Sequence, residues 1–108
     1  MAVASRKARV RVQASASCRL DEIYRYTRDR WGKRQADRYI TGLFQAFDGI
    51  ETRKTLSRPI PAEFGVDGYY FRHERHFVYW RCLAGGDIGT VTILHERMHQ
   101  MERFRDDA

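Results

Sequence analysis

Residues 20–50 run LDEIYRYTRDRWGKRQADRYITGLFQAFDGI, and the spacing of their apolar side chains decides the fold. Leu20, Ile23, Tyr24, Thr27 and Trp31 recur at separations of three, four and seven, the period of one helix face. Ala36, Tyr39, Ile40, Leu43, Phe44, Phe47 and Ile50 keep that rhythm for about four turns, longer than a strand would need. Gly32 follows the first stripe directly, where a left-handed C-cap favours glycine, and the second stripe restarts at once. So short a joint makes the two helices antiparallel neighbours. A helical hairpin cannot bury both apolar stripes alone, so the rest of the chain must cover it.

Upstream, residues 1–8 are expected to fray. From Arg9 the pattern alternates, with Val10, Val12 and Ala14 on one side and Arg9, Arg11 and Gln13 on the other, as in a half-buried strand. Ser15 or Ser17 is the expected N-cap of the first helix, with Asp21 and Glu22 in its early turns. Downstream, Gly49 weakens the second helix near its end. Residues 56–68 hold Pro59, Pro61, Gly65 and Gly68 and form a connecting loop. Three strands follow, at residues 69–73, 76–82 and 89–95, divided by Glu74-Arg75 and by Ala84-Gly85-Gly86-Asp87.

If both strand turns are tight, Tyr69, Phe71, His73, His76, Val78, Trp80, Cys82, Val91, Ile93 and His95 share the face that covers the helices. The opposite face then carries Tyr70, Arg72, Phe77, Tyr79, Arg81, Thr90, Thr92 and Leu94, joined by Arg9 and Arg11 if the first strand enters the sheet with its valines inward. A slip of one residue would exchange the two faces. Residues 96–104 are expected to form a short helix and residues 105–108 to fray. The fold class is therefore α+β: an N-terminal strand, an antiparallel helical hairpin, and a three-stranded antiparallel meander packed on the helices.

At 108 residues the chain suits one domain with one modest core. The 20 Lys and Arg against 14 Asp and Glu leave a net charge of +6, which attracts nucleic acid, an acidic membrane surface or an acidic protein without choosing among them. Cys18 and Cys82 form no zinc or redox spacing. Arg6 and Lys7 precede any apolar run that a signal peptide would require, and no stretch approaches a membrane span. Cytoplasmic location without membrane association is the expectation.

The element order, with Ile23-Tyr24 through Tyr26, Trp31-Gly32, Gln35-Ala36, Tyr39, Arg58-Pro59, residues 76–81 and the closing Leu94-His95-Glu96-Arg97-Met98, resembles the ParE branch of the RelE/ParE superfamily of bacterial toxins. The likeness spans residues 10–98. It departs at Thr92, where the family often has arginine, at His99, where an acidic residue is common, and at Trp80, where tyrosine is usual. The resemblance implies a toxin of a type II toxin-antitoxin pair. Its ParD-like antitoxin has a DNA-binding N-terminal part and forms a hetero-oligomer with it. The resemblance also implies inhibition of DNA gyrase by binding, without covalent chemistry or cofactor. RelE-type relatives cleave messenger RNA on the ribosome, and a chain of this kind could also survive as a non-toxic co-repressor.

Metal-free RNA cleavage needs a base, an acid and cations for the phosphorane charge. His95 and His99, with Arg72, Arg81 and Arg97, are the candidate catalytic set. Against that reading, the chain's three lysines, Lys7, Lys33 and Lys54, supply no lysine-rich strand of the RelE ribonuclease kind. His73, His76 and His95 are neighbours in the proposed register, where imidazoles either converge on a metal or hydrogen-bond locally. No metal is expected. Helical spacing places Tyr24, Trp31 and Tyr39 in the core rather than on a binding surface. The basic cluster Arg28, Arg30, Lys33 and Arg34 is a solvated face or a phosphate contact. The antitoxin is expected on Arg9, Arg11, Tyr70, Arg72, Phe77, Tyr79 and Arg81, where guanidinium and ring groups suit an acidic, partly apolar tail that folds on binding. A groove along the helix pair is a second docking place. The cellular target is expected to meet Arg97, Met98, His99 and Met101.

Overall fold

The computed structural model of the chain describes residues 10–51 and 54–107. Arg9, the expected fraying of residues 1–8 and Ala108 lie outside the described residues. The elements run β1 (Val10–Val12), α1 (Ala14–Trp31), α2 (Lys33–Glu51), β2 (Arg58–Pro59), a 3-10 turn (Ala62–Phe64), β3 (Tyr69–His73), β4 (His76–Cys82), a second turn (Ala84–Gly86), β5 (Ile88–His95) and α3 (Gln100–Asp107).

The helical hairpin forms as its periodicity requires. Gly32 sits at φ +97° and ψ 165°, a glycine conformation although not the left-handed cap expected. Its N–H donates to the Arg28 carbonyl at 2.8 Å, and the Ala36 N–H reaches the Gly32 carbonyl, so α2 starts without a spacer. The Tyr24 hydroxyl donates to Asp37 at 2.7 Å, and Lys33 reaches the same carboxylate at 2.8 Å. The Tyr24 bond ties the two helices near their tip, and Lys33 holds the Asp37 carboxylate within α2. The start of α1 differs from expectation. Ala14 belongs to the helix rather than to the strand, Gln13 is the N-cap without a side-chain bond, and no acidic residue occupies the first turn. Ser15 and Ser17 therefore lie inside the helix, and Asp21 and Glu22 fall too far along it to balance its dipole.

The sheet has five strands in the order β1-β5-β4-β3-β2, with β1 parallel to β5 and the other pairs antiparallel. The short β2 comes from the segment expected to be loop, and pairs Arg58 and Pro59 with Tyr70 and Tyr69. The β3–β4 register is the expected one, with Tyr70 opposite Tyr79 and His73 opposite His76. Its two-residue turn holds Glu74 at φ +50°.

Between β4 and β5 the register shifts. Tyr79 faces Thr92 and Trp80 faces Thr90, which leaves Val91 as an extra residue. The bulge corrects the face assignment. Thr90 shares a row with the core residue Trp80, while Val91 packs with Tyr79, Leu94 and Phe104 on the other side. Cys82, expected inward, is exposed at the end of β4.

Two apolar clusters result. Ile23, Leu43, Phe47, Phe71, Val78, Trp80, Ile88 and Ile93 fill the space between helices and sheet. Ile60, Tyr79, Val91, Leu94 and Phe104 form a second core on the opposite face, beneath α3. The expected one-sided sheet is thus buried on both sides at its centre. The cause lies in β5, where residues 88–94 are all buried, the pattern of a strand covered on both faces.

Candidate binding surfaces

Helix α3 controls the outer face of the sheet. Phe104 is 1% exposed and meets Tyr79 and Phe64 with ring centroids 5.1 and 5.4 Å away. The Tyr79 hydroxyl donates to Gln100 at 2.8 Å, and burial raises this phenol to a pKa of about 12. Asp107, expected to fray, anchors the end of α3. Its carboxylate accepts from Arg19 Nε at 2.9 Å and from Thr92 Oγ1 at 2.8 Å, and its carbonyl accepts from Ser15 Oγ at 2.6 Å. Burial alone would raise the Asp107 pKa, but the hydrogen bonds from Arg19 and Thr92, with the Arg19 charge, hold it below the ordinary carboxylate value.

The residues expected to meet an antitoxin are therefore divided. Tyr79 is buried, so it offers no surface while α3 is seated. Arg72 stays outward with its Cζ 5.8 Å from the Phe77 ring, and Phe77 meets Tyr70 edge-on. Tyr70 and Phe77 are half-buried beside the second core. The Arg72 guanidinium pairs with Glu96, which also takes Arg75 at 3.6 Å. Across the Tyr79 row lie Arg11 and Arg81, both exposed and both in register with Gly89. Arg11 pairs with Asp87 at 3.1 Å. Arg9 lies outside the described residues.

On the helix side, a groove of about 690 Å³ opens between α1, the α2 start and the turn after β5. Its α1 wall is the stripe Arg19, Glu22, Ile23, Tyr26, Thr27, Arg30 and Trp31, spaced as one helix face. The opposite wall includes His95, Arg97 and Met98. Trp31 is 66% exposed and Tyr26 63%, which overturns the core assignment of Trp31. Helical spacing identified the correct stripe, but residues 28–34 are all exposed, so nothing among the described residues covers the tip of the hairpin. Tyr24 is half-buried, and Tyr39 takes the core position expected for it.

The three histidines are neighbours across the sheet, as the register implied: His73 faces His76, and His76 faces His95. His73 and His76 meet the Tyr39 ring edge-on at 5.3 and 5.5 Å, and His95 meets the His76 ring at 5.2 Å. The Tyr39 hydroxyl lies 2.6 Å from His76 Nδ1 and 3.2 Å from the His73 carbonyl. Burial first, then the neighbouring His95 and His73, push the His76 pKa down to about 4. Among the described residues no group of three or more His, Cys, Asp or Glu is placed to hold a metal ion.

The candidate catalytic set does not gather in one place. Arg81 is in register with Gly89, whereas His76 faces His95, so five steps along β4, from Arg81 to His76, separate Arg81 from His95, roughly 17 Å at about 3.3 Å each. His95 Nδ1 accepts the Arg97 N–H at 3.1 Å, fixing the turn after β5. His99 lies exposed at the start of α3, its Nδ1 3.4 Å from the Glu102 N–H. Of the residues expected to meet a target, Arg97 and Met98 line the groove; His99 is exposed and Met101 half-buried on the α3 side. Among the described residues no helix is long and apolar enough to cross a membrane.

A helical hairpin docked on a five-stranded mixed sheet defines a small α+β fold class, and sequence comparison specifies the family. A family model described as the ParE toxin of the type II toxin-antitoxin system parDE matches residues 10–100. Toxin ParE of Escherichia coli is 37% identical over 97 residues, covering 86% of this chain and 89% of the relative. Toxin ParE1 of Mycobacterium tuberculosis is 31% identical over 84 residues, covering 78% and 85%. A solved structure described as the chromosomal ParDE TA system from P. aeruginosa superposes with a TM-score of 0.65 at 16% identity, covering 82% of this chain and 96% of that one, a likeness of fold. The chain belongs to the ParE family of type II toxin-antitoxin toxins.

Proposed function

We propose that this chain inhibits DNA gyrase by binding it and holding the state in which DNA is cut, that it does so in the cytoplasm without catalysis, and that a ParD-like antitoxin neutralises it. Family membership supports the toxin role. The observation that carries the non-catalytic reading is the dispersal of the chemistry-bearing groups: Arg81 stands far along the sheet from His95, and Arg72 and Arg75 are already engaged by Glu96. Such groups are arranged to hold a surface rather than to move protons. The antitoxin tail meets Tyr70, Arg72 and Phe77 on one side of α3 and Arg11 and Arg81 on the other. Arg9 would extend the second patch, and Tyr79 joins only if α3 moves. The target meets the turn after β5 and α3, through Arg97, Met98, His99 and Met101.

Induction of the chain without antitoxin, followed by parallel recovery of plasmid and transcripts, tests this reading. Double-strand breaks and relaxed plasmid support it. Intact supercoiled plasmid with codon-positioned transcript breaks would instead support a ribosome-dependent ribonuclease. One observation favours that second reading: His95, Arg75 and Arg97 line the same groove.

A further inference from the structure

The tip of the helical hairpin carries two aromatic rings that the fold leaves bare. Arg30 lies between them, its Cζ 6.0 Å from the Tyr26 centroid and 5.7 Å from the Trp31 centroid. Burying neither ring leaves unrealised an area that most folds of this size would cover. The ion pairs around the tip leave a clear positive excess. Asp29 takes Arg28, Asp37 takes Lys33, and Glu22 takes Arg19, while among the described residues no carboxylate pairs with Arg30, Arg34 or Arg97. Arg97 stands on the opposite wall of the groove from Arg30. Flat exposed rings with free guanidinium groups on both walls offer stacking planes for bases and contacts for phosphates, without any base-reading constellation.

We propose that the groove between the α1 tip and the turn after β5 binds single-stranded DNA, with Tyr26 and Trp31 stacking on bases and Arg30 and Arg97 holding phosphates. The inference rests on the gyrase reading and deepens it, because an enzyme held with its DNA cut presents strand ends and unpaired segments beside the toxin. Charge decides between DNA and an acidic peptide in one respect: the two walls present free cations to a ligand with regularly spaced charge, and the stacking rings stand outward rather than enclosing an apolar anchor.

The test uses the purified full chain, free of antitoxin and gyrase, titrated into a fluorescein-labelled 12-nucleotide dT oligomer, its RNA counterpart and a duplex, at several salt concentrations. The expected result is preferential binding of the single DNA strand, with a log–log salt slope of about −1.5 to −2 for two or three phosphate contacts. Trp31→Ala weakens it roughly tenfold, the size of one lost base stack; Trp31→Phe largely restores it, and Arg97→Ala reduces the slope by about 0.7. Lys54→Ala, outside the groove, leaves it unchanged. Since Trp31 is exposed, its removal leaves the circular dichroism spectrum and the unfolding midpoint in place. No binding, equal binding by Trp31→Ala, equal loss with Lys54→Ala, or markedly tighter binding of RNA or duplex overturns the proposal. Quenching of Trp31 by an acidic antitoxin tail but not by the oligomer would also overturn it and assign the groove to a peptide. Trapping of cleaved DNA by gyrase is read separately, so either idea can fail while the other stands.

Discussion

Thr90 is fully buried, and its Oγ1 has no hydrogen-bond partner among the described residues. Its position follows from the bulge at Val91, which turns a residue expected outward into the row of Trp80. Replacing an unsatisfied buried hydroxyl by a methyl group of similar shape removes a desolvation cost, so Thr90→Val should stabilise the fold by about 1 kcal/mol in urea unfolding. His76 gives the corresponding pH prediction. Its folded pKa of about 4 lies below the ordinary 6.5, so the folded state prefers the neutral ring. The resulting stability is fully present above pH 6.5, declines as the unfolded state gains its proton below that value, and is lost as pH falls through about 4. His76→Phe should flatten this part of the stability profile while the rest of the acid transition remains. Tyr39, raised to about 12 chiefly by burial, acts at the other end: stability falls between pH 10 and 12, where the unfolded phenol ionises first.

At the scale of elements, α3 is held at both of its ends: Gln100 Nε2 donates to the His95 and Met98 carbonyls, and Asp107 receives Arg19 and Thr92. Arg19 and Asp107 have side chains only 17% and 15% exposed, so their pair resists solvent better than an ordinary surface bridge. Asp107→Asn should cost about 1–2 kcal/mol and, more specifically, speed hydrogen exchange in α3 while amides in the α1–α2 hairpin stay protected. Equal acceleration in both would mean that α3 is not a separately released element. This helix also marks where sequence reading succeeded and where it stopped. The hairpin was legible because two long stripes repeat a helical period, and the β3–β4 register because a tight Glu74-Arg75 turn leaves one pairing, His73 opposite His76. The bulge was not, since a single extra residue in an apolar run such as residues 88–94 leaves no periodic trace. Nor was the second core, although Met98, Met101 and Phe104 at intervals of three marked an apolar helix face.

For the molecule as a whole, the two surfaces make different demands. The outer sheet patches are partly self-paired: Arg72 must leave Glu96 to meet a partner's carboxylate, whereas Arg81 has no such tie among the described residues. Arg81→Ala should therefore weaken antitoxin binding by about 1 kcal/mol, and Arg72→Ala by less, in a calorimetric titration. Unchanged affinity for both would remove this face from the interface. The sequence disclosed these groups and their charge, but not that α3 divides them, because burial of Tyr79 depends on where a C-terminal segment folds back. It likewise located the Trp31 stripe correctly while missing its exposure, because periodicity identifies a face without revealing what covers it. The central claim, binding without catalysis, is tested most directly by incubating the purified chain with gyrase, ATP and supercoiled plasmid and resolving the products after detergent. Linearised plasmid accumulating with toxin dose, and absent when gyrase is omitted, is the predicted result; undiminished supercoiling with no cleaved product would contradict it.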